Sequence, residues 1–318
     1  INSYYMKSSI WLIGASKISE DYSNVLKALK TPFEVIGRGK SSALRFTKNT
    51  GISVKSGGIK KYLKNNYPDV AIVAVGIQDL FLTTKDLINS GTKKILLEKP
   101  GSLTIEEIKQ LNILANKKKT KVLIAYNRRF YSSIAKVKTL IKKDGGLTSM
   151  KFEFTEWIDR IKPLSRNPKI TKKWLLANSH VIDLAFHLGG KPKNWKSWQN
   201  GSFNWHPSAA SFCGAGITKK KILFSYLSDW KSAGSWCLEL MTNKNRYILK
   251  PLEKLKLIKI GKMQMHDIKF NDLLDKKFKP GIFTQTKKFI ENDNDLFCSL
   301  SEQIENMKIF YKIAGYLS

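Results

Sequence analysis

Between residues 9 and 126 the chain alternates short apolar runs with amphipathic stretches, a pattern few folds accommodate. The runs Ile10-Trp11-Leu12-Ile13, Phe33-Glu34-Val35-Ile36, Val70 to Val75, Ile95-Leu96-Leu97 and Val122-Leu123-Ile124-Ala125 are nearly unbroken by polar residues. They read as strands buried on both faces, as in a parallel sheet covered by helices. The intervening segments have helical spacing, as in Tyr22 to Lys30 with Val25, Leu26 and Leu29 on one face. The expected class is α/β, beginning with a doubly wound parallel sheet. Further on, alternating runs around Leu147–Glu156, Ala209–Ile217, Ile222–Ser228, Trp236–Met241 and Tyr247–Leu249 read as strands of a second half, and Gly189-Gly190 closes the helix before most of them.

Length fits this division, since 318 residues exceed one typical core. The domains are taken as 1–126 and 127–318. No uninterrupted apolar run approaches the roughly 18 residues of a membrane span, and no secretory segment is visible. Cys213, Cys237 and Cys298 are too few and scattered for a disulfide framework or zinc site. A cytoplasmic protein with no membrane partner and no metal is expected. The net charge of +31 comes from 56 Lys plus Arg against 25 Asp plus Glu. Its lysines are dispersed through turns and helix ends without aromatic interleaving, so it reads as solvated surface and no nucleic-acid partner is expected. Such a field favours anionic small molecules.

Two turns carry the nucleotide expectation. Gly14-Ala15-Ser16-Lys17-Ile18-Ser19 follows the first strand, where a dinucleotide fold places its glycine-rich turn, although only the first glycine is present. Gly14, Ser16 and Ile18 are taken as cofactor contacts, with Ser19 as the cap of a helix whose N-terminus favours an anion. Gly37-Arg38-Gly39-Lys40-Ser41-Ser42 follows the second strand, where NAD-preferring sheets usually carry an acid for the ribose hydroxyl. Cations and hydroxyls stand here, so Arg38, Lys40 and Ser41 point to NADP in preference to NAD. Glu34 lies inside the strand. Val75, Gly76 and Gln78 follow the most apolar strand, where a glycine lets backbone approach a ligand.

A further pair of motifs sits at strand ends: Leu97-Glu98-Lys99-Pro100-Gly101 and Ala125-Tyr126-Asn127-Arg128-Arg129-Phe130. Together with the first turn, Ser179-His180-Val181-Ile182-Asp183-Leu184 and Phe278-Lys279-Pro280-Gly281-Ile282, they make the chain resemble the glucose-fructose oxidoreductase / inositol dehydrogenase (Gfo/Idh/MocA) family. The resemblance spans nearly the whole chain. It implies an N-terminal Rossmann domain, then an α/β domain with a large, mostly antiparallel sheet that supports homodimers or homotetramers, and a last helix packed near the first domain.

The resemblance also implies roles. Lys99 matches the family lysine near the nicotinamide and substrate hydroxyl, and His180 the acid/base. Oxidising a carbinol requires removal of its hydroxyl proton, a task that suits histidine, while lysine polarises the oxygen. The family commonly has an aspartate four residues before the histidine. Leu176 stands there, so Asp183, one turn later, is the candidate orienter or else a structural carboxylate, and His187 is read as structural. Glu98 and Asn127 join Lys99 on the cofactor side, whereas Arg128, Arg166, Trp174 and His180 are taken toward substrate. The resulting expectation is an NADP-dependent oxidoreductase acting on a sugar-like alcohol or ketone, such as a nucleotide-linked or acidic sugar used in surface-glycan synthesis. A cofactor-binding sensor or scaffold without catalysis is the alternative.

Overall fold

The computed structural model describes residues 10–64, 66–157, 178–205 and 209–316. The chain divides into two compact units, one formed by Ile1–Asn127 with Lys277–Glu305 and the other by Arg128–Lys276 with Asn306–Ser318. Among the described residues no helix is long and apolar enough to cross a membrane.

Unit 1 runs β1 (Ile10–Ile13), α1 (Lys17–Ala28), β2 (Phe33–Gly37), α2 (Lys40–Thr50), β3 (Val54–Ser56), α3 (Ile59–Leu63), β4 (Val70–Val73), α4 (Leu80–Ser90), β5 (Lys94–Glu98), α5 (Ile105–Lys118) and β6 (Lys121–Ala125). Its strands lie in the order β6-β5-β4-β1-β2-β3, all parallel, and Cys298–Ser299 adds a short antiparallel strand on the β6 edge. The order reverses between β1 and β4, the place where doubly wound sheets bind ligands. Ile95, Leu96, Leu97, Ile72 and Leu12 are fully buried, which explains why the strands read as continuous apolar runs. Helix α1 starts earlier than its apolar face suggests. Ser16, not Ser19, is its cap, and Ser19 at the third helical position accepts the Ser16 N–H at 3.3 Å.

Unit 2 contains α6 (Ser132–Lys143), β7 (Ser149–Phe154), α7 (His180–Gly189), β8 (Pro192–Asn200), β9 (Ser211–Thr218), β10 (Leu223–Asp229), β11 (Trp236–Met241), β12 (Asn245–Leu249), β13 (Lys256–Lys259) and β14 (Met265–Asp267). Its sheet has the order β14-β13-β12-β11-β7-β10-β9-β8 and is antiparallel except where β7 and β10 pair. Met150, Phe152 and Phe154 alternate inward along β7. There Phe152 meets the Phe186 ring of α7 edge-on at 5.6 Å, and Phe186 meets Phe224 of β10 at 5.1 Å. This apolar layer fixes α7 against the sheet, and His180 stands in its first turn.

Candidate functional site

At the carboxyl ends of β1, β2 and β4 lies a cavity of about 360 Å³. Gly14, Ser16, Arg38, Val75 and Gly76, five of the residues taken above as cofactor contacts, line it. Gly14 has φ +121°, and a Cβ there would lie 2.3 Å from the Ala74 carbonyl oxygen. Only glycine allows β1 to turn this tightly beside β4, and the space a side chain would take stays open to a ligand. The Ser16-capped start of α1 faces this turn, supplying free N–H groups suited to a diphosphate. Ser42, Arg45, Asp79 and Thr83 also line the cavity, residues the sequence pattern does not single out. Arg38 donates to Asp79 Oδ1 at 3.1 Å across its mouth. Ile18, Lys40, Ser41 and Gln78 are not among the lining residues. Glu34 pairs with Lys55 at 2.7 Å within the sheet region, away from this cavity's lining. The glycine cradle, helix start and flanking cations fit a dinucleotide.

The Glu-Lys-Pro turn is fixed on each side of Lys99. Glu98 ends β5, and its Oε1 accepts the Tyr22 hydroxyl at 2.7 Å. Burial raises the Glu98 carboxyl above the ordinary carboxylate range, although the Tyr22 hydrogen bond and the Lys99 charge pull it down. Burial also pushes the Tyr22 phenol well up, with the Glu98 charge adding to the effect. The Gln285 amide lies 3.2 Å from the Tyr22 hydroxyl. The Pro100 carbonyl accepts from Gln303 Nε2 at 2.9 Å, and the same nitrogen reaches the Tyr126 hydroxyl at 3.0 Å. Gly101 closes the turn with φ +87° and its N–H on the Glu98 carbonyl at 3.0 Å. Asn127, past the end of β6, donates to the Pro280 carbonyl at 2.9 Å. Pro280, Gln285 and Gln303 thus buttress both strand-end motifs from late in the chain; Phe278–Ile282 was recognisable by resemblance, while the two glutamines were not.

In unit 2, His180 gathers a second group. Its ring lies 6.0 Å from that of Trp236, and Arg128 sits over the Trp236 ring at 4.3 Å. Trp236 Nε1 donates to Glu156 Oε1 at 2.7 Å. Glu156 follows the end of β7 and Trp236 begins β11; the antiparallel register Trp236↔Phe154 brings them together. Burial raises the Glu156 carboxyl, against the hydrogen bond from Trp236 and the Arg128 charge. Neither Glu156 nor Trp236 stands out in the sequence except as the edge of a strand run.

Asp183 is engaged by Arg129 and Asn306. Arg129 Nε donates to its Oδ2 at 2.8 Å, Arg129 Nη2 to its Oδ1 at 2.6 Å, and Asn306 Nδ2 to Oδ1 at 3.1 Å. Arg129 and Asp183 are both almost wholly buried, so this forked pair satisfies two charges at once. That engagement gives Asp183 a structural part in the buried pair. Arg166, Trp174 and Leu176 lie outside the described residues.

A doubly wound sheet with a glycine-held cradle at its reversal point defines a dinucleotide-binding protein. Residues 9–126 match the Gfo/Idh/MocA model, described as an oxidoreductase family with an NAD-binding Rossmann fold. Solved structures share the whole fold at low identity. UDP-N-acetylglucosamine 3-dehydrogenase GnnA of Acidithiobacillus ferrooxidans is 12% identical, with a TM-score of 0.77 over 98% of this chain and 97% of that one. An oxidoreductase of Agrobacterium radiobacter in complex with NAD+, L-tartaric acid and magnesium is 10% identical, with a TM-score of 0.79 over 98% and 96%. Levoglucosan dehydrogenase in complex with NADH and L-sorbose is 13% identical, with a TM-score of 0.77 over 97% and 96%. Comparison with curated proteins found no match.

Proposed function

We propose that the chain transfers hydride between a nicotinamide cofactor, NADP in preference to NAD, and a sugar-like alcohol or its ketone. The observation that carries this reading is the placement of Gly14, Gly76, Lys99 and Asn127 at the carboxyl ends of four adjacent parallel strands of one sheet. The preference for NADP rests on Arg38, Ser42 and Arg45 lining the cavity where an acid would favour NAD, with Lys40 and Ser41 exposed at the same turn.

The bound nicotinamide supplies the hydride acceptor or donor. His180 takes the hydroxyl proton as the carbinol is oxidised, or returns it to the oxygen in reduction. Lys99 polarises that oxygen from a turn whose neighbours are held by Tyr22 and Gln303. Asn127, with Glu98 beneath, supports the cofactor side, and Arg128 belongs to the substrate side.

Structures of this fold carry an uncharged ketose in one case and a dicarboxylic acid in another, so substrate charge is not a property of the fold. A nucleotide-linked sugar of surface-glycan synthesis is the finer reading, motivated by the family and the positive charge. The expected assembly is a homodimer or homotetramer through the outer face of the unit 2 sheet, where Trp198, Cys213 and Leu227 stand in register and both Trp198 and Leu227 are exposed.

The test combines NADP titration with turnover on a sugar and sugar-nucleotide panel for wild type, Lys99→Ala and His180→Ala. Each variant should still bind NADP measurably and lose at least about 10²-fold in kcat. Full activity in a folded double variant would sink the mechanism. Tight NADP binding with no turnover across the panel would support the non-catalytic sensor.

A further inference from the structure

Among the described residues that line the unit 1 cavity, Asp79 carries the only carboxylate, and it faces the cation on which the NADP preference rests. Its backbone is fixed by a 3₁₀ turn, Ile77–Asp79, whose last N–H donates to the Gly76 carbonyl at 2.8 Å. The residue stands immediately before α4, where an aspartate ordinarily caps a helix, yet its side chain makes no cap hydrogen bond. It reaches across the cavity mouth instead, and its Oδ1 accepts from Arg38 Nη1 at 3.1 Å. A side-chain cap usually stabilises a protein more than an exposed ion pair does. This carboxylate forgoes the larger local gain, and its consequence lies at the cavity mouth.

The pair is open to water, with the Arg38 side chain 77% exposed and that of Asp79 28%. Such a pair holds weakly, so an incoming anion can take Arg38 from Asp79. The exchange carries a penalty. Once a phosphate accepts from the guanidinium, the displaced carboxylate stays close by, because the 3₁₀ turn fixes its backbone. A phosphate monoester carries about −1.5 to −2 charges at neutral pH, and like charges at this range repel. An uncharged ribose hydroxyl meets neither obstacle. It can donate to Asp79 or accept from Arg38 with the pair intact.

We propose that Asp79 is a specificity-determining residue that opposes NADP: it engages Arg38 before the cofactor arrives and repels the 2′-phosphate afterwards, narrowing the gap between NADP and NAD. The proposal rests on the reading above that this cavity holds a nicotinamide dinucleotide, and deepens it by giving Arg38 and Arg45 a built-in counterweight.

The test reads binding alone, by isothermal titration calorimetry on the full chain. Adenosine 2′,5′-bisphosphate and adenosine 5′-phosphate differ only in the 2′-phosphate, and NADP with NAD forms the second pair. Asp79→Asn removes the charge and keeps an acceptor for Arg38. It should tighten NADP and the bisphosphate about three- to tenfold and leave NAD and the monophosphate within about twofold. Raising salt from about 0.1 M to about 1 M shortens the screening length from about 10 Å to about 3 Å and should shrink that gain toward unity. A merely structural role in the turn or helix end would weaken all four ligands together and persist in salt. Should Asn not fold, Asp79→Ser removes the same charge with a hydroxyl able to cap α4, and the same gain is expected. A NADP-to-NAD affinity ratio that is unmoved, or shifted toward NAD, in a folded variant overturns the proposal, as does a gain that high salt leaves intact. If wild type binds no adenine nucleotide, the dinucleotide reading falls and the proposal with it. Nucleotide binding of the expected pattern in a chain that turns over no sugar rejects hydride transfer and leaves the role of Asp79 standing.

Discussion

The Tyr22 hydroxyl donates to Glu98 Oε1 over 2.7 Å, tying the first helix to the turn that presents Lys99. Tyr22→Phe removes the donor and leaves a carboxyl already raised by burial without its main hydrogen bond. The expected loss of stability is about 1–3 kcal/mol, read from urea midpoints. The pH sign is fixed. A raised folded pKa means the folded state holds the proton more tightly than the unfolded chain, so stability falls as pH rises above 4.5 through the folded value. In Tyr22→Phe that decline shifts to higher pH.

Asp183 and Arg129 form a buried forked pair, and breaking it by Asp183→Ala should cost about 3–5 kcal/mol by leaving a guanidinium unpaired. Urea unfolding of the variant checks this. Were Asp183 instead the orienter of His180, Asp183→Asn would displace the pH profile of kcat with little change in the unfolding midpoint.

Gly14→Ala should weaken NADP and NAD alike. Its Cβ would lie 2.3 Å from the Ala74 oxygen, at a φ that L side chains rarely adopt. Strain of about 1–3 kcal/mol and at least tenfold weaker cofactor binding are expected, measured by thermal unfolding and fluorescence titration.

Arg38→Ala and Arg45→Ala should act on one cofactor. Both line the cavity, and a charge-assisted hydrogen bond to a 2′-phosphate contributes about 1.5–3 kcal/mol. The ratio of kcat/KM for NADP over NAD should fall about tenfold or more in each variant, with the NAD value nearly constant.

Lys94 is 8% exposed, reaches Asn292 Oδ1 at 2.7 Å and stands over the Phe289 ring at 4.4 Å. Burial pulls its ammonium from the ordinary 10.5 down to about 8. Between those values the unfolded chain binds the proton that the folded chain has released, so this residue makes stability rise with pH across the window. Subtracting the unfolding curve of Lys94→Met from that of wild type should reveal the slope.

Residues whose burial is uniform were legible in the sequence. Ile95-Leu96-Leu97 and Val122 to Ala125 read as strands because both faces are covered, and Leu223–Asp229 because it alternates. β8, β13 and β14 were unanticipated; β8 and β14 are the two edges of the unit 2 sheet, and the polar residues of all three break the apolar pattern that a covered strand keeps. The site divides in the same way. Gly14, Arg38 and Gly76 are marked by local turn chemistry, which survives in one dimension. Asp183 with Arg129, Glu156 with Trp236 and Gln303 with Pro100 depend on contacts between distant segments, and no local spacing encodes them.

Unit 1 is assembled from two stretches of chain, with residues 128–276 made between them. During synthesis at about 5–20 residues per second, the β6 edge and the Glu-Lys-Pro turn wait roughly ten to thirty seconds for Cys298, Gln285 and Gln303 to emerge. The turn that presents Lys99 therefore gains its buttresses only after residue 303 has been made. A product that stops before residue 277 would carry every strand of the parallel sheet and still lack the groups that hold its ligand edge in place.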